Sequence, residues 1–430
     1  MAKVIPFRGI RYNKEKIGNL AAVVTPPYDV IDSKAQKMYY ERHPYNVIRL
    51  ELGYQYPTDD EHNNRYTRAA KFYQEWLHEG ILKHEDEEAF YLYEQEFVAN
   101  GQTFKRTGFF ARVQLEDYSS GKILPHEATL AKPKADRLAL MRACKANFSS
   151  VFSIYNDPKA TLEEDFEEIK KSPPEIELED DVGEKHRLWV ITNQELHRKI
   201  TSTLENHVLY IADGHHRYDT ALTFYREVGE KYKGAAYVLM YLVNIHDPGL
   251  VILPTHRIIR GLQDLNLELL KERLTENFVI EPISARPEEL KKILGERQKK
   301  GQTAFVMATR EPATYLLTLK NPEAVKKMAP DKPPAWCELD VSVLHLLILK
   351  QFLGIDTEKP GHQAKLEYTR DEKEAFEALL QGEGQLVFIL NPTKIEDVVA
   401  VATAGEKMPQ KSTYFYPKLL TGLVLNDLTI

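Results

Sequence analysis

A short polar segment, Asp213-Gly214-His215-His216-Arg217, contains the residues whose types and spacing could do chemistry. A carboxylate could bind a metal or accept a proton, and the histidines and the arginine could hold an anion. The glycine lets the chain turn and lets a ligand approach the backbone. The segment therefore predicts a phosphate-handling site. The alternative is an N-capping aspartate followed by surface residues.

The flanking residues predict that this segment lies where a buried strand turns into a helix. An apolar run at residues 208–212 precedes it, and a helical pattern at residues 218–227 follows it. At such a junction backbone N–H groups point outward and the helix dipole favours negative charge. The expected roles are catalysis for Asp213 and His215, and phosphate binding for Gly214, His216 and Arg217.

Other polar clusters could join this site. The pair His126-Glu127 could supply a proton acceptor or a metal ligand, and we expect Glu127 to be catalytic. The alternative is a solvated loop that enters a helix.

The pair His256-Arg257 could bind phosphate, or it could form a structural turn. Residues 407–418 include three lysines and two hydroxyls, which could surround a phosphate or form a solvated edge. The expected phosphate ligands in this last segment are Lys411, Ser412 and Thr413.

A further candidate lies near the N-terminus. In Thr25-Pro26-Pro27-Tyr28-Asp29 the two prolines force an extended turn. Its Asp29 could be a metal ligand or only a turn residue.

Length, charge and cysteine content limit the classes of protein to consider. The chain has 430 residues and a net charge of −7, so we expect two or three domains, or one elaborated α/β unit, and no general binding to nucleic acid. No apolar stretch is long enough for a membrane helix, and the first residues lack a signal-peptide pattern. Cys144 and Cys337 form no metal-ligand pattern, so a cytoplasmic protein without a membrane partner is expected.

Periodicity along the chain predicts an α+β protein, that is, a mixed α/β architecture. Asn100-Gly101 lies between two aromatic-rich runs and predicts a hairpin. Residues 237–244 predict a buried strand, residues 59–78 a helix, and residues 163–183 a helix followed by an exposed loop.

Three regions are expected along the chain. Residues 1–120 form an N-terminal mixed α/β region, and residues 121–260 form the phosphate-binding core that contains the Asp-Gly-His-His-Arg motif. Residues 261–430 form a C-terminal α/β region that folds back on this core.

Several phrases spread along the chain resemble a known family. They are Pro27-Tyr28-Asp29-Val30-Ile31, His126-Glu127-Ala128-Thr129, Asp213-Gly214-His215-His216-Arg217-Tyr218, Leu253-Pro254-Thr255-His256-Arg257 and Met408-Pro409-Gln410-Lys411-Ser412-Thr413-Tyr414-Phe415-Tyr416-Pro417-Lys418. Together they resemble the prokaryotic family labelled domain of unknown function 1015. The Asp-Gly-His-His-Arg phrase is also similar to the phosphate-binding box of the ParB/sulfiredoxin-like superfamily, which includes ParB nucleotide-binding domains, sulfiredoxins and free-serine kinases.

The resemblance implies a ParB/sulfiredoxin-like core elaborated by additional α/β segments. It also implies phosphate or nucleotide binding, and phosphoryl transfer to a small hydroxyl acceptor such as L-serine. The chain departs from two members of the superfamily. It lacks a cysteine beside Gly214, where sulfiredoxins place their reactive thiol, and its acidic charge does not suit DNA partitioning. These two departures favour a kinase over a sulfiredoxin or a DNA-partitioning protein.

We therefore expect a small-molecule phosphotransferase, a free L-serine kinase with ATP, ADP or diphosphate as the phosphoryl donor. Mg²⁺ is the expected cofactor, and Asp213 is its predicted ligand. One alternative is a nucleotide- or phosphate-responsive binding or regulatory protein without turnover. A second is a metal-dependent hydrolase that uses His215 or His216 as metal ligands. The sequence is compatible with a homodimer.

Overall fold

The computed structural model describes residues 2–310, 313–357 and 359–430. The strands are β1 (Val4–Ile5), β2 (Ile10–Tyr12), β3 (Leu82–His84), β4 (Phe90–Ala99), β5 (Gln102–Gln114), β6 (Ile123–Leu124), β7 (Ala146–Asn147), β8 (Val151–Tyr155), β9 (Ile176–Glu179), β10 (Lys185–Ile191), β11 (Leu209–Asp213), β12 (Tyr237–Asn244), β13 (Val251–Ile252), β14 (His256–Ile259), β15 (Phe278–Ile283), β16 (Ala304–Thr309), β17 (Thr314–Leu319), β18 (Leu366–Thr369), β19 (Leu386–Ile389), β20 (Phe415–Tyr416) and β21 (Asn426–Asp427).

The α-helices are α1 (Lys14–Ile17), α2 (Ser33–Arg42), α3 (Ile48–Glu51), α4 (Arg65–His78), α5 (Ala131–Cys144), α6 (Glu163–Lys170), α7 (Gln194–Glu205), α8 (His215–Val228), α9 (Leu267–Leu274), α10 (Pro287–Lys299), α11 (Glu323–Met328), α12 (Pro334–Cys337), α13 (Asp340–Leu344), α14 (Pro360–Gln363), α15 (Glu372–Leu380) and α16 (Ile395–Thr403). Short 3₁₀ helices lie at Leu20–Ala22, Tyr28–Val30, Tyr118–Ser120 and Lys233–Ala236, and a π-helix lies at His345–Lys350.

The predicted α+β class is confirmed, because mostly antiparallel sheets alternate with helices along the chain. The chain divides into two compact units. Unit 1 comprises Met1–Pro125, Thr129–Val251 and Pro417–Ile430, and unit 2 comprises His126–Ala128 and Ile252–Tyr416. The three-region division expected from the sequence stays a prediction.

Unit 1 is built on a nine-stranded sheet in the order β6-β11-β8-β12-β5-β4-β10-β9, with β1 paired to β5. The pairs β6/β11 and β8/β12 are parallel, and the other pairs are antiparallel. Strand β12 lies inside this order, and its residues after Tyr237 are buried, as expected of a strand covered on both faces. The buried strand predicted at residues 237–244 is confirmed.

Helices cover the sheet of unit 1 with apolar stripes. On α7, Ile200 and Leu204 are fully buried, and α8 adds Tyr218 and Phe224 to the same core as the strands. Residues four apart lie on one face of a helix, so α7 buries one stripe, whereas only Arg226 and Glu227 of α8 are exposed.

The hairpin between β4 and β5 is formed as predicted. Asn100 and Gly101 have φ angles of 51° and 74°, and two successive positive φ angles define the tight turn that matches the twist of paired strands. The register aligns Phe97 with Phe104 across the hairpin.

The exposed loop predicted after the helix at residue 163 is wrong in part. Strand β9 pairs there with β10, with Ile176 and Leu178 buried and Glu177 and Glu179 exposed. Alternation of apolar and charged residues is the period of a strand, and two prolines just before it concealed this short signal.

The helix predicted at residues 59–78 begins later, at Arg65. The side chain of Asn64 accepts hydrogen bonds from the N–H groups of Tyr66 and Thr67, and the N–H of Asn64 donates to Oγ1 of Thr67. This capping box satisfies the first turn and fixes the start of α4.

Unit 2 contains a six-stranded sheet in the order β15-β17-β16-β19-β14-β18, and its neighbouring strands are antiparallel. Helix α10 buries Leu290 and Leu294 against one side of this sheet. A second apolar cluster includes Phe305, Leu317 and Phe388. Among the residues that the structure describes, no helix has the length and apolar character needed to span a membrane.

Candidate functional site

The predicted strand-to-helix turn is present in unit 1. Strand β11 ends at Asp213, Gly214 turns the chain with φ 88° and ψ 27°, and α8 begins at His215. This left-handed conformation favours glycine. A Cβ on Gly214 would also lie only 2.9 Å from Nε of Arg217. The glycine is therefore required by both the backbone and the arginine that folds back over it.

Asp213 is held between two cations. Its Oδ2 lies 3.2 Å from Nζ of Lys418 and 3.6 Å from Nη2 of Arg217. Burial by itself raises the pKa of Asp213, but Lys418 and Arg217 outweigh it and hold the pKa well below its ordinary value. The carboxylate is thus ionised at ordinary pH and is a weak proton acceptor.

Arg217 lies at the N-terminus of the 14-residue helix α8. Its side chain is 11% exposed, and Nη1 donates to the carbonyl oxygen of Ser150. With Gly214 at the N-cap position, this helix end has no capping side chain from that residue. Outward N–H groups, the helix dipole and a guanidinium therefore meet at one place, a combination that favours an anion.

The two histidines of the motif have different surroundings. His215 is 3% exposed and lies close enough to Asp213 to lower the pKa of its carboxyl. The N–H of Leu130 donates to Nε2 of His216 at 2.9 Å. Burial lowers the pKa of His216, and this outweighs the opposing effect of Asp219. His216 is therefore a neutral ring with its proton on Nδ1, so it could offer a hydrogen bond but not a charge.

The N-terminal proline turn lies beside the motif in unit 1. Asp29 acts to raise the pKa of His216, against the larger effect of burial. Burial raises the pKa of Tyr28 to about 12, although Arg137 and Arg217 act to lower it. The guanidinium of Arg137 lies 4.0 Å from the ring centroid of Tyr28. The turn that contains Asp29 therefore belongs to the same neighbourhood as the helix end.

Buried groups on the central strands fix the backbone at Lys418. Arg106, which is fully buried, donates to the carbonyl oxygen of Pro417 at 2.7 Å and to the side-chain oxygen of Gln95. Nε2 of Gln95 donates to the carbonyl oxygen of Lys418 at 3.1 Å. The guanidinium of Arg106 lies 4.8 Å from the ring centroid of Phe152. Strands β4 and β5 thus hold the segment from which Lys418 reaches Asp213.

The pair His256-Arg257 is buried in unit 2. The N–H of Leu390 donates to Nδ1 of His256 at 3.2 Å, and Nε2 of His256 lies 3.4 Å from Glu372. Arg257 is 1% exposed, and its Nη2 donates to the carbonyl oxygen of Lys411 at 3.0 Å. Both side chains engage protein groups, so the contacts favour anchoring over direct phosphate binding.

The segment that contains Lys411 is also held within unit 2. Lys411 has an exposed side chain and a φ angle of 58°. The hydroxyl of Ser412 donates to the carbonyl oxygen of Pro409, and Oγ1 of Thr413 lies 3.0 Å from Nε2 of His126. Glu127, next to that histidine, is half-buried.

The predicted site residues thus belong to two groups. Those in unit 1 surround the helix end and are Asp213, Gly214, His215, His216 and Arg217. Those in unit 2 are Glu127, His256, Arg257, Lys411, Ser412 and Thr413.

Two residues of this neighbourhood were not assigned a role from the sequence. Lys418 is the last lysine of the segment at residues 407–418, so its cluster was identified, but nothing in the sequence singled it out from Lys411. Arg106 lies inside a strand pattern, where a charged residue usually indicates the solvent face. Its burial depends on Pro417 and Gln95, which no local pattern shows.

The fold and the site define an α+β protein with a glycine-capped, cation-bearing strand-to-helix turn. A family model described as Protein of unknown function (DUF1015) matches residues 4–342, and the chain belongs to this family. The predicted family is therefore confirmed. Comparison with curated proteins gives no match.

Solved structures of several proteins are similar to this chain. A free serine kinase variant in complex with AMP has 15% identity and a TM-score of 0.37, and the match covers 74% of this chain and 92% of that chain. A conserved hypothetical protein from Pyrococcus furiosus has 16% identity and a TM-score of 0.34, with 74% and 95% covered. SbnI with a C-terminal truncation, from Staphylococcus aureus, has 12% identity and a TM-score of 0.35, with 73% and 85% covered. At TM-scores this low, the likeness carries no argument about activity.

Proposed function

We propose that this chain is a small-molecule phosphotransferase whose donor phosphates bind at the turn formed by Asp213, Gly214 and the start of α8. The observation that supports this most directly is the convergence of two basic side chains, Arg217 and Lys418, on one glycine-capped helix N-terminus. Phosphoryl transfer depends mainly on positioning and on cations that stabilise the transferring group. The helix end adds N–H donors and a favourable dipole.

The carboxylate of Asp213 has a positioning role in this proposal. It holds Lys418 and Arg217 in place, and its lowered pKa makes it a poor general base. An incoming phosphate would take over part of the attraction that the two cations now exert on Asp213. Glu127 remains the carboxylate that the sequence indicates as a base.

The residues around Asp213 do not by themselves make a good Mg²⁺ site. Asp213 already pairs with two cations, whereas protein sites for Mg²⁺ combine carboxylates with waters and substrate phosphates. We propose that Mg²⁺ arrives with the phosphoryl donor, where it neutralises phosphate charge.

The acceptor that we propose is a small hydroxyl compound, with L-serine as the first candidate. The support is the similarity of the Asp-Gly-His-His-Arg phrase to the phosphate-binding box of a superfamily that includes free-serine kinases. ATP, ADP and diphosphate are the donors to compare, because each presents a diphosphate group that two cations could hold.

The experiment is to incubate the purified chain with L-serine, Mg²⁺ and each donor in turn, and to measure phosphoserine by mass spectrometry. Donor binding is measured in parallel by calorimetry. Formation of phosphoserine would support the proposal. Donor binding without phosphoserine would favour the regulatory alternative, and absence of both would overturn the proposed site.

The roles of Glu127 and Asp213 can be distinguished in the same assay. We expect Glu127→Gln to lower kcat by about 100-fold or more, the scale of a lost general base. We expect Asp213→Asn to act mainly on donor affinity, because it releases Lys418 and Arg217. Near wild-type kcat in Glu127→Gln would exclude Glu127 as the base.

A further inference from the structure

A second cluster of chemically capable side chains lies in unit 1, at the turn between β9 and β10. It consists of Asp180, Glu184 and His186, and one ligand atom from each lies within 4.8 Å of the others. A tetrahedral ion about 2.0–2.2 Å from each ligand would space the ligand atoms by about 3.3–3.6 Å. The three side chains would therefore have to move together by up to about 1.5 Å to bind such an ion.

The turn holds Asp180 in the required orientation. Its Oδ1 accepts hydrogen bonds from the N–H groups of Val182 and Glu184, at 3.0 and 2.9 Å. This leaves Oδ2 directed at His186, with 3.3 Å between Oδ2 and Nε2. The backbone thus fixes one carboxylate oxygen and presents the other to the cluster.

His186 supplies an independent observation. Its side chain is 1% exposed, and within the described part of the chain its Nε2 makes no hydrogen bond of normal geometry. A buried ring nitrogen without a hydrogen bond is costly in a folded protein. This nitrogen faces the two carboxylates, where a metal ion would use its lone pair.

Tyr93 fixes the other side of the same ring. Its hydroxyl oxygen lies 2.7 Å from Nδ1 of His186, and the two rings stack with centroids 6.0 Å apart. A histidine that binds a metal through one nitrogen usually donates from the other to a protein oxygen, which sets its tautomer and orientation. Tyr93 is placed to accept that hydrogen bond.

We propose that Asp180, Glu184 and His186 bind one divalent transition-metal ion, with Zn²⁺ preferred. An imidazole ligand together with carboxylates suits Zn²⁺ better than Mg²⁺ or Ca²⁺, which select oxygen. The site is separate from the residues of the proposed phosphotransferase, so it stands or fails independently of that activity.

The test is a titration of the full chain with Zn²⁺ after treatment with a chelator, followed by calorimetry. Co²⁺ is used in a parallel titration, because its visible spectrum reports nitrogen and oxygen coordination. We expect one ion per chain. His186→Gln and Glu184→Gln should each weaken Zn²⁺ binding by about 100-fold or more, since second-shell changes alone cost about 10–100-fold. Tyr93→Phe should weaken it by about 10-fold.

His84→Gln is the matched control. His84 lies 3.8 Å from a single carboxylate, that of Asp427, so Zn²⁺ affinity should not change. If His186→Gln fails to fold, Glu184→Gln answers the same question, because it keeps the size of the side chain. Absence of stoichiometric Zn²⁺ binding, or binding that survives both glutamine variants, would overturn the proposal.

Discussion

Arg217 is the residue on which the proposed phosphate site depends most. It is nearly buried, it donates to the carbonyl oxygen of Ser150, and it lies 3.6 Å from Asp213. Nη1 of the guanidinium thus holds the side chain against the backbone of Ser150. Nη2 faces a carboxylate at a distance too long for a hydrogen bond, a contact that a bound phosphate could replace.

Arg217→Ala should lower the affinity for the phosphoryl donor by about tenfold or more. The lost charge-assisted contact is worth roughly 1.5–3 kcal/mol. Calorimetry with ATP, ADP and diphosphate is the measurement. Arg226→Ala is the control, because Arg226 lies on the same helix but pairs at the surface with Asp117. Unchanged donor affinity in a folded Arg217→Ala protein would show that Arg217 does not bind the donor phosphates.

Lys418→Met should weaken donor binding more than Lys411→Met does. Lys418 is 14% exposed and touches Asp213, so its charge is poorly screened by water, whereas Lys411 has an exposed side chain. Methionine keeps the apolar stem and removes the charge. Lys199→Met, which removes a half-exposed ion pair with Asp165, controls for loss of charge alone. A larger effect of Lys411→Met would restore that lysine as the main ligand.

At the scale of elements, the junction of β11 and α8 depends on the backbone of Gly214. A residue with a side chain in this left-handed conformation costs about 1–2 kcal/mol. The added methyl group would also collide with the guanidinium of Arg217. The same substitution therefore disturbs both the turn and the cation.

Gly214→Ala should lower the free energy of unfolding by more than about 1 kcal/mol and should weaken donor binding as well. Urea unfolding and calorimetry measure the two effects. Gly295→Ala is the matched control, since Gly295 lies inside α10 with open space around it and alanine favours a helix. It should be neutral or stabilising. A Gly214→Ala protein as stable as the wild type would show that the turn tolerates a side chain.

Local patterns predicted the elements whose signals are contained within a few residues. The Asn100-Gly101 hairpin, the buried strand β12 and the turn at Gly214 follow from turn chemistry and periodicity. Strand β9 was missed because four residues give a short period, and Arg106 was missed because its partners Gln95 and Pro417 are distant in sequence. Contacts between segments that are distant in sequence can be identified only in the folded structure.

The same distinction applies to the candidate site. The residue types at Asp213–Arg217 indicated an anion site, but the sequence could not show that His216 accepts a hydrogen bond from Leu130 and is neutral. Nor could it show that Lys418 pairs with Asp213. Protonation and pairing depend on burial and on neighbours from other elements.

At the scale of the whole molecule, buried and half-buried histidines make stability depend on pH. Burial lowers the pKa of His43, His84, His216, His256 and His345. In the unfolded chain these rings take up a proton near pH 6.5, whereas the folded chain takes it up only at lower pH. The unfolded state therefore binds more protons below about pH 6.5, and stability must fall as pH falls.

We expect the urea midpoint to decrease between pH 7.5 and pH 5.5, and to decrease less in His345→Gln. His345 is 6% exposed beside Arg257, and its removal should reduce the dependence by at most about 1.4 kcal/mol per pH unit. Burial raises the pKa of Asp247 and Asp340 to about 6, so these carboxyls oppose the trend. His62→Gln, at an exposed site, is the control. A midpoint that stays constant or rises on acidification would contradict this expectation.

Unit 1 is discontinuous, since the chain leaves it at Val251 and returns at Pro417. A ribosome that adds about 5–20 residues per second needs roughly ten to thirty seconds to make the intervening segment. Throughout that interval Asp213 lacks Lys418, and Asn147 lacks its strand partner Asn426. Residues 417–430 complete both the two-stranded sheet of β7 and β21 and the pair of cations around Asp213. A nascent chain therefore lacks part of the proposed donor site until Lys418 has been made.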